Sequence, residues 1–278
     1  MTGAASVRVV TWNVWWRFAA WRQRRDAIAD VLEKAAGDIV CLQEVWDDGE
    51  NNLAGWLARH LGMHWTSTES PASHLWQDRI GDRTSTIGNA ILSRWPIGEC
   101  DALHLPVGDA RPEGRTALYA RIDATVPIPV FTTQLNSHPA QSAVRVEQVL
   151  SLAHFVVKHR GSGFPPIVTG DLNAEPDSDE VRLLCGHKTA PAHSDLVLVD
   201  AWRYADPDDL GWTWDRANPH VLSTHEPSCR IDYILVGLPS KEGGAVRFAT
   251  RTGHLSAQDV WPSDHAAVIA DLELAART

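Results

Sequence analysis

Cysteine is scarce in this chain. Cys41, Cys100, Cys185 and Cys229 are the four among 278 residues, and they stand too far apart for a zinc ribbon or a CxxC redox pair. Cys41 lies inside an apolar run and reads as a small buried hydrophobe rather than a nucleophile. Long apolar runs are also missing, so no membrane span is expected. The opening Met1-Thr2-Gly3-Ala4-Ala5-Ser6 has no basic segment leading into an apolar one, which gives the expectation of a cytoplasmic protein. Positive charge is short: 25 Lys and Arg stand against 35 Asp and Glu, for a net charge of −10. That balance excludes avid, sequence-independent polyanion binding, which rests on clustered Lys and Arg. The basic run Arg22-Gln23-Arg24-Arg25 opens a predicted helix and reads as a solvated face. Repeats, low-complexity tracts and linkers are absent too, so residues 1–278 are expected to form a single domain and a monomer.

What is present is an ordinary globular composition, 44% hydrophobic and 22% charged, with a strong strand and helix pattern. Val7 to Trp12 is a β-branched run ending at Asn13, Arg22 to Ala35 has helical spacing, and Asp38 to Leu42 is a buried strand leading to Glu44. Asn52 to His60 and Ser142 to His159 read as further helices, the second closed by Gly161-Ser162-Gly163. Strands are expected at Thr86 to Leu92, Ala117 to Ala124, Val130 to Leu135, Pro166 to Thr169, Ile231 to Val236 and Ala266 to Ala270. Asp206 to Cys229 and Leu238 to Pro262 read mostly as loop. The order predicts an α/β fold in which two sheets pack face to face with helices outside. Thirteen tryptophans are unusual; core packing and a pocket lining are both open for them.

Polar residues cluster at strand ends: Asn13 in TWNV, Glu44 in LQE, Asp171 and Asn173 in GDLN, Asp232 in RIDY, and Asp264-His265 in SDH. Each alone is equally an ordinary cap, surface charge or structural histidine. Together they supply hard oxygen ligands for a divalent cation and an acid–base apparatus for attacking water. Glu44 and Asp264 suit Mg²⁺ or Mn²⁺ as anionic ligands, with Asn13 as a neutral oxygen. Asp171 is the candidate base for water, and Asn173, two residues on, the candidate holder of a phosphate oxygen. His265 would donate to the phosphate if kept protonated, with Asp232 as the carboxylate that raises its pKa.

These motifs, with GNAILSRWPI at residues 88–97, resemble those of the endonuclease/exonuclease/phosphatase superfamily in order and type along nearly the whole chain. The resemblance implies a four-layered α/β sandwich, two mixed β-sheets flanked by helices, with the active site at one rim. It also implies Mg²⁺-dependent hydrolysis without a covalent enzyme intermediate, Asn13 and Glu44 in the metal site, Asp171 and Asn173 at water and phosphate, and an Asp232–His265 pair.

Two positions depart from the family's pattern. Where many hydrolytic members carry Thr-His-Leu, this chain reads Thr132-Thr133-Gln134-Leu135-Asn136. Gln134 can donate a hydrogen bond but cannot carry charge, so the favoured expectation is that it holds the phosphate. His138 from a displaced loop is the second explanation, and a slower or altered reaction the third; Asn136 is grouped with the catalytic candidates. The acid that follows Trp-Asn in some nuclease members is replaced by Trp15, which favours one metal ion. Arg145, Arg230 and Trp212 are candidates for substrate contact, with helix-bracing or core roles as the plain alternatives. The expected substrate is a small or lipid-like phosphate ester, nucleic acid is the second class, and a repurposed fold the third.

Overall fold

The computed structural model describes residues 6–108, 112–256 and 260–275; the N-terminal reading of Met1 to Ala5 and the ends of the expected single domain lie outside them. The first half of the chain supplies β1 (Ser6–Asn13), α1 (Trp21–Ala35), β2 (Ile39–Asp47), α2 (Leu53–Leu61), β3 (His64–Glu69), α3 (Ser73–Ile80), β4 (Thr86–Ser93), β5 (Ile97–His104), β6 (Thr116–Ile122) and β7 (Ile128–Gln134). There follow α4 (Ser142–His159), β8 (Ile167–Asp171), α5 (Asp179–Cys185), β9 (Leu198–Asp200), α6 (Pro219–Leu222), β10 (Asp232–Gly237), β11 (Gly243–Thr252) and β12 (Ala267–Leu274). The strands form two mixed six-stranded sheets, ordered β11-β12-β1-β2-β4-β3 and β5-β6-β7-β8-β10-β9.

The period of two along each strand explains the layers. In β1, Val7 and Val9 join Ile39 and Cys41 of β2 in a core shared with Val130, Ile167, Ile234 and Val236 of the other sheet. Val10 and Trp12, one residue out of phase, join Ile28 and Leu32 of α1 and Leu53 and Leu57 of α2 on the outer face. The second sheet likewise turns Phe131 and Val168 outward against Val149, Leu152 and Val156 of α4. The result is helix, sheet, sheet, helix, held by burial worth roughly 1.5–3 kcal/mol per large aliphatic side chain.

The same alternation positions the polar residues. Thr11 and Asn13 continue the phase of Val7 and Val9, as Gln134 continues that of Val130, Asp171 that of Ile167, and Asp232 that of Ile234. The strip between the sheets is therefore apolar in the middle and polar at one end. A buried layer closes the apolar part, where Gln43 donates to Thr11 Oγ1 at 3.1 Å and, across to the other sheet, to Thr132 Oγ1 at 2.8 Å.

Several elements differ from the sequence reading. β11 is a ten-residue strand inside the stretch expected as loop, because its edge position against β12 leaves much of it exposed and without a continuous apolar signal. α3 and α6 also occupy presumed loop, and β3, β5, α5 and β9 were not anticipated. Arg24 is the main burial surprise in the supposedly solvated basic run. It is 1% exposed and donates to the carbonyls of Val14, Trp15, Trp16 and Pro262 at 2.7–3.0 Å. Cys41 is fully buried, and desolvation pushes its thiol up to about 12. Among the described residues no helix is long and apolar enough to cross a membrane.

Candidate active site

Parallel pairs β1–β2 and β7–β8 end side by side at the rim of the two sheets. Register alone aligns Gln134 with Asp171 across β7–β8, and Asp171 with Asp232 across β8–β10. On the other sheet, Asn13 closes β1, and a register shift between Leu42 and Val45 turns Glu44 out of the ladder of β2. Glu44 takes a left-handed φ of 57° there, and Asn173 one of 47°. Such values are costly for residues other than glycine and cluster where side chains must be aimed.

The carboxylates are tied by amides. Asn13 Nδ2 donates to Glu44 Oε1 at 3.1 Å and to Asp171 Oδ2 at 3.0 Å. Gln134 Nε2 repeats the pattern, reaching Glu44 Oε1 at 2.7 Å and Asp171 Oδ2 at 3.1 Å. Asp171 Oδ1 accepts from the Asn173 backbone at 3.0 Å. Behind Gln134, its Oε1 accepts from Arg115, which is itself paired with Glu113. Glu113 also accepts from the Ser137 amide at 3.0 Å, and despite the desolvation of its burial the charge of Arg115 and the Ser137 bond hold its carboxyl below the usual range.

On the facing side, His265 Nδ1 lies 2.9 Å from Asp232 Oδ2, and His265 Nε2 lies 3.9 Å from Asp171 Oδ2. Burial alone would lower the imidazole pKa, but Asp232, Asp171 and Asp264 outweigh it and raise it well above the ordinary value. Asp232, Asp171 and Asp264 thus favour the protonated ring. Burial, with Asp232 adding repulsion, raises Asp171. Burial and the charge of Glu44 push Asp264 up to about 7.

Glu44, Gln134, Asp171, Asn173, Asp264 and His265 open together into a cleft of about 670 Å³. Its walls include residues the sequence did not single out: Phe18, Trp76 and Arg79, with His220, Ser223 and Thr224 opposite. Trp15 stands 4.6 Å from the His220 ring, and Trp214 packs edge-on to His265 at 5.0 Å. No short-range motif marks these wall residues, because they come from the loop after β1, from α3, and from α6 with the turn after it, which meet only in the fold.

Five candidates lie off the lining of the open cleft. Asn13 does not offer its oxygen to the cleft, since Oδ1 accepts from the Trp15 amide at 2.9 Å and the NH₂ faces the carboxylates. Asn136 is fully buried behind the rim and exchanges hydrogen bonds with Gln148 at 3.0 and 2.8 Å. Arg145 is locked to Glu180 at 2.8 Å and to the His138 carbonyl at 2.9 Å, so it braces the turn. Arg230 pairs with Asp200 at 2.7 Å and lines a different cavity. Trp212 lies off the cleft, its carbonyl held by Arg251 at 2.7 Å, while Trp214, two residues on, lines it. His138 stays at the cleft mouth, with Nδ1 accepting from the Ala140 amide at 3.2 Å.

The residues present fit a divalent cation. Glu44 Oε2 is buried without a partner, and the raised Asp264 carboxyl marks excess negative charge gathered in one place. Asp171, Asp232 and His265 also bring ligand atoms within 4.8 Å of one another, but a histidine committed to Asp232 and holding its proton is a poor ligand.

A family model described as Endonuclease/Exonuclease/phosphatase family matches residues 10–265. The uncharacterized protein YbhP of Escherichia coli K12 is 30% identical over 178 residues, covering 60% of this chain and 67% of that protein. The inositol phosphosphingolipids phospholipase C of Saccharomyces cerevisiae is 23% identical over 328 aligned residues, covering 98% of this chain and 65% of that protein. Among solved structures, D. rerio TDP2 complexed with single-strand DNA product superposes with a TM-score of 0.73 at 18% identity, covering 97% of this chain and 99% of that one.

Proposed function

The chain belongs to the endonuclease/exonuclease/phosphatase family, and from that premise we propose that it is a phosphoesterase that hydrolyses a small or lipid-like phosphate ester with Mg²⁺ or Mn²⁺. Members of this family are generally divalent-metal-dependent hydrolases of phosphoesters. The observation that carries the reading is the buried carboxylate cluster, amide-tied on one side and faced by an imidazolium on the other, at the floor of an open cleft.

Glu44 and Asp264 would hold the cation, which would supply charge neutralisation at the phosphate and the leaving oxygen. Asp171 accepts a proton from the attacking water: its acceptor oxygens are fixed by Asn13, Gln134 and Asn173, and burial raises its basicity toward the working pH. His265, held protonated by Asp232, donates Nε2–H to a nonbridging oxygen as charge develops there. Asn173 stands beside Asp171 as the residue to hold the phosphate. Gln134 is better read as a tether for two carboxylates than as the phosphate holder, because both its NH₂ bonds are already spent on them.

The substrate preference is supported by the cleft walls. Tryptophans 15, 76 and 214 with Phe18 outnumber free cations there, Arg79 being the exposed guanidinium. Aromatic walls suit a hydrophobic or planar leaving group. Nucleic acid remains the second reading, favoured by the likeness to a fold that carries a DNA product.

The test is hydrolysis of bis-p-nitrophenyl phosphate, p-nitrophenyl phosphate and plasmid DNA, each with Mg²⁺, Mn²⁺ or EDTA. Metal-dependent turnover that Asp171→Ala abolishes supports the hydrolase, and which substrate turns over selects the ester class. Steep inhibition by salt would point to the polyanion. A folded protein inert on all three would favour the repurposed fold instead.

A further inference from the structure

A second cavity, separate from the cleft, gathers Arg182, His187, Lys188, Arg203 and Arg230 around about 260 Å³, with Cys185 among them. It lies between α5 with the turn after it, the helical turn Ala201–Tyr204, and the start of β10. Asp200 is the acid on its lining, and that carboxylate is committed to Arg230 Nη2 at 2.7 Å and the Trp202 amide at 3.0 Å.

Beyond that pair, counter-charge around the cavity is sparse. Arg182 reaches only exposed Asp179, at 3.6 Å. Lys188 has no acidic partner among the described residues. Arg203 Nη1 donates to His187 Nε2 at 2.9 Å, a pairing that leaves its charge uncompensated. Arg230 is 9% exposed, and its Nη1 is buried without any partner. The orphaned guanidinium donor carries a free-energy cost because it is buried, and exposed Lys188 and Arg203 concentrate positive potential beside it in a chain whose net charge is −10. One multivalent oxyanion would neutralise that potential, since guanidinium forks and an ammonium match phosphate oxygens in number and geometry. The volume lies below the roughly 300–1,000 Å³ usual for drug-sized ligands, which limits the occupant to the oxyanion and a small substituent.

We propose that this cavity is an anion site for a phosphate-class ligand, inorganic phosphate or a small phosphomonoester. The site adjoins the catalytic elements. Ile231 lines the cleft while its neighbour Arg230 lines the cavity, and the Tyr233 hydroxyl sits 2.7 Å from the Ala174 carbonyl and 2.9 Å from that of Arg230. An occupant would stiffen the segment that carries Asn173 against the strand that carries Asp232. The proposal does not depend on the hydrolase reading, and its test needs no turnover.

Inorganic phosphate is titrated calorimetrically into the full chain at constant ionic strength in EDTA, where the uncompensated carboxylates of the cleft repel an anion. The expected result is one phosphate per chain, at least tenfold weaker in the Lys188→Ala/Arg203→Ala double variant, whose changes are exposed and leave the core untouched. His265→Ala, which removes the imidazole at the catalytic cluster of the cleft, should bind as the wild type does. Three outcomes would overturn the site: no binding to the wild type, equal binding to the double variant, or a loss confined to His265→Ala, which would place the anion in the cleft. Arg230→Lys, which keeps a cation beside Asp200 but loses the fork, gives an independent check and should weaken binding severalfold.

Discussion

Arg115 donates to the side-chain oxygen of Gln134, and the amide nitrogen of the same Gln134 donates to Glu44 and Asp171. An amide dipole is thus aligned by a buried guanidinium on one side and two carboxylates on the other, the arrangement in which a glutamine is strongest. A neutral histidine in this position could accept from Arg115 with one ring nitrogen and donate with the other, leaving one carboxylate bond unmade. Gln134→His is therefore expected to lower kcat/KM by about 100-fold, the lower end of the cost of losing one preorganised donor, with bis-p-nitrophenyl phosphate as substrate. A gain in rate would mean that the site is a weakened form of the usual histidine-bearing one.

Asp171 and His265 should separate activity from stability. Asp171→Asn keeps the shape and removes a buried charge that lies near Asp232 and Glu44, so turnover should fall by about 10²-fold or more while the metal-free chain melts no lower than the wild type. His265→Ala should cost a similar factor but also lower the melting temperature, because Asp232 loses its partner at 2.9 Å. Near-normal rates in both variants would remove the basis for the mechanism.

The contrast between Gln134 and Arg24 shows how far the sequence carries. Strand-end polar residues were legible because the period of two places Asn13, Gln134, Asp171 and Asp232 in phase with the apolar residues before them. Their convergence follows from that phase plus pairing register. Arg24 gave no such signal: its burial depends on five carbonyl groups that turn inward in the loop after β1 and near Pro262, which no local pattern encodes. Trp212 and Trp214 were equivalent by alternation, and only the bridge of Trp214 to His265 and Cys229 decides which faces the cleft. β11 escaped because half-exposed edge strands lose the alternation that marks central ones.

Arg145 offers a test of the brace. Its partner Glu180 is 1% exposed, and the guanidinium also holds the carbonyls of Asn136 and His138. Arg145→Met keeps the volume but strands the carboxylate, so unfolding free energy should drop by about 3–5 kcal/mol, read from urea denaturation. The double variant Arg145→Met/Glu180→Leu should recover most of it. A single variant as stable as wild type would mean that Glu180 takes its proton from solvent at little cost.

Stability against pH tests the carboxylate cluster as a cation site. Three groups bind protons more tightly in the folded chain: Asp264, pushed up to about 7 by burial and Glu44; Asp171, raised by burial and then by Asp232; and His265, raised because Asp232, Asp171 and Asp264 outweigh its desolvation. Above the ordinary carboxylate range of about 4 the unfolded chain has released protons that the native cluster still holds, so the native state binds more and stability falls as pH rises. His265 extends the decline: its contribution is complete below the ordinary histidine value and is lost as pH passes its raised one. Glu113, whose pKa is lowered in the fold, works in the opposite sense, but its gain is already complete above that carboxylate range. His220 and His254, both lowered chiefly by burial, also work in the opposite sense and offset part of the decline below the ordinary histidine value, while Asp264, Asp171 and His265 set its direction above it. The metal-free chain should therefore melt lower at about pH 8 than at about pH 5. Mg²⁺ inverts the comparison, since ionised Asp264 binds it more tightly and ligation stabilises the native state by mass action. The melting-temperature increment from Mg²⁺ should be small at the lower pH and large at the higher one. A metal-free chain that gains stability over that interval, or a Mg²⁺ increment independent of pH, would mean that these carboxylates are not the ligands.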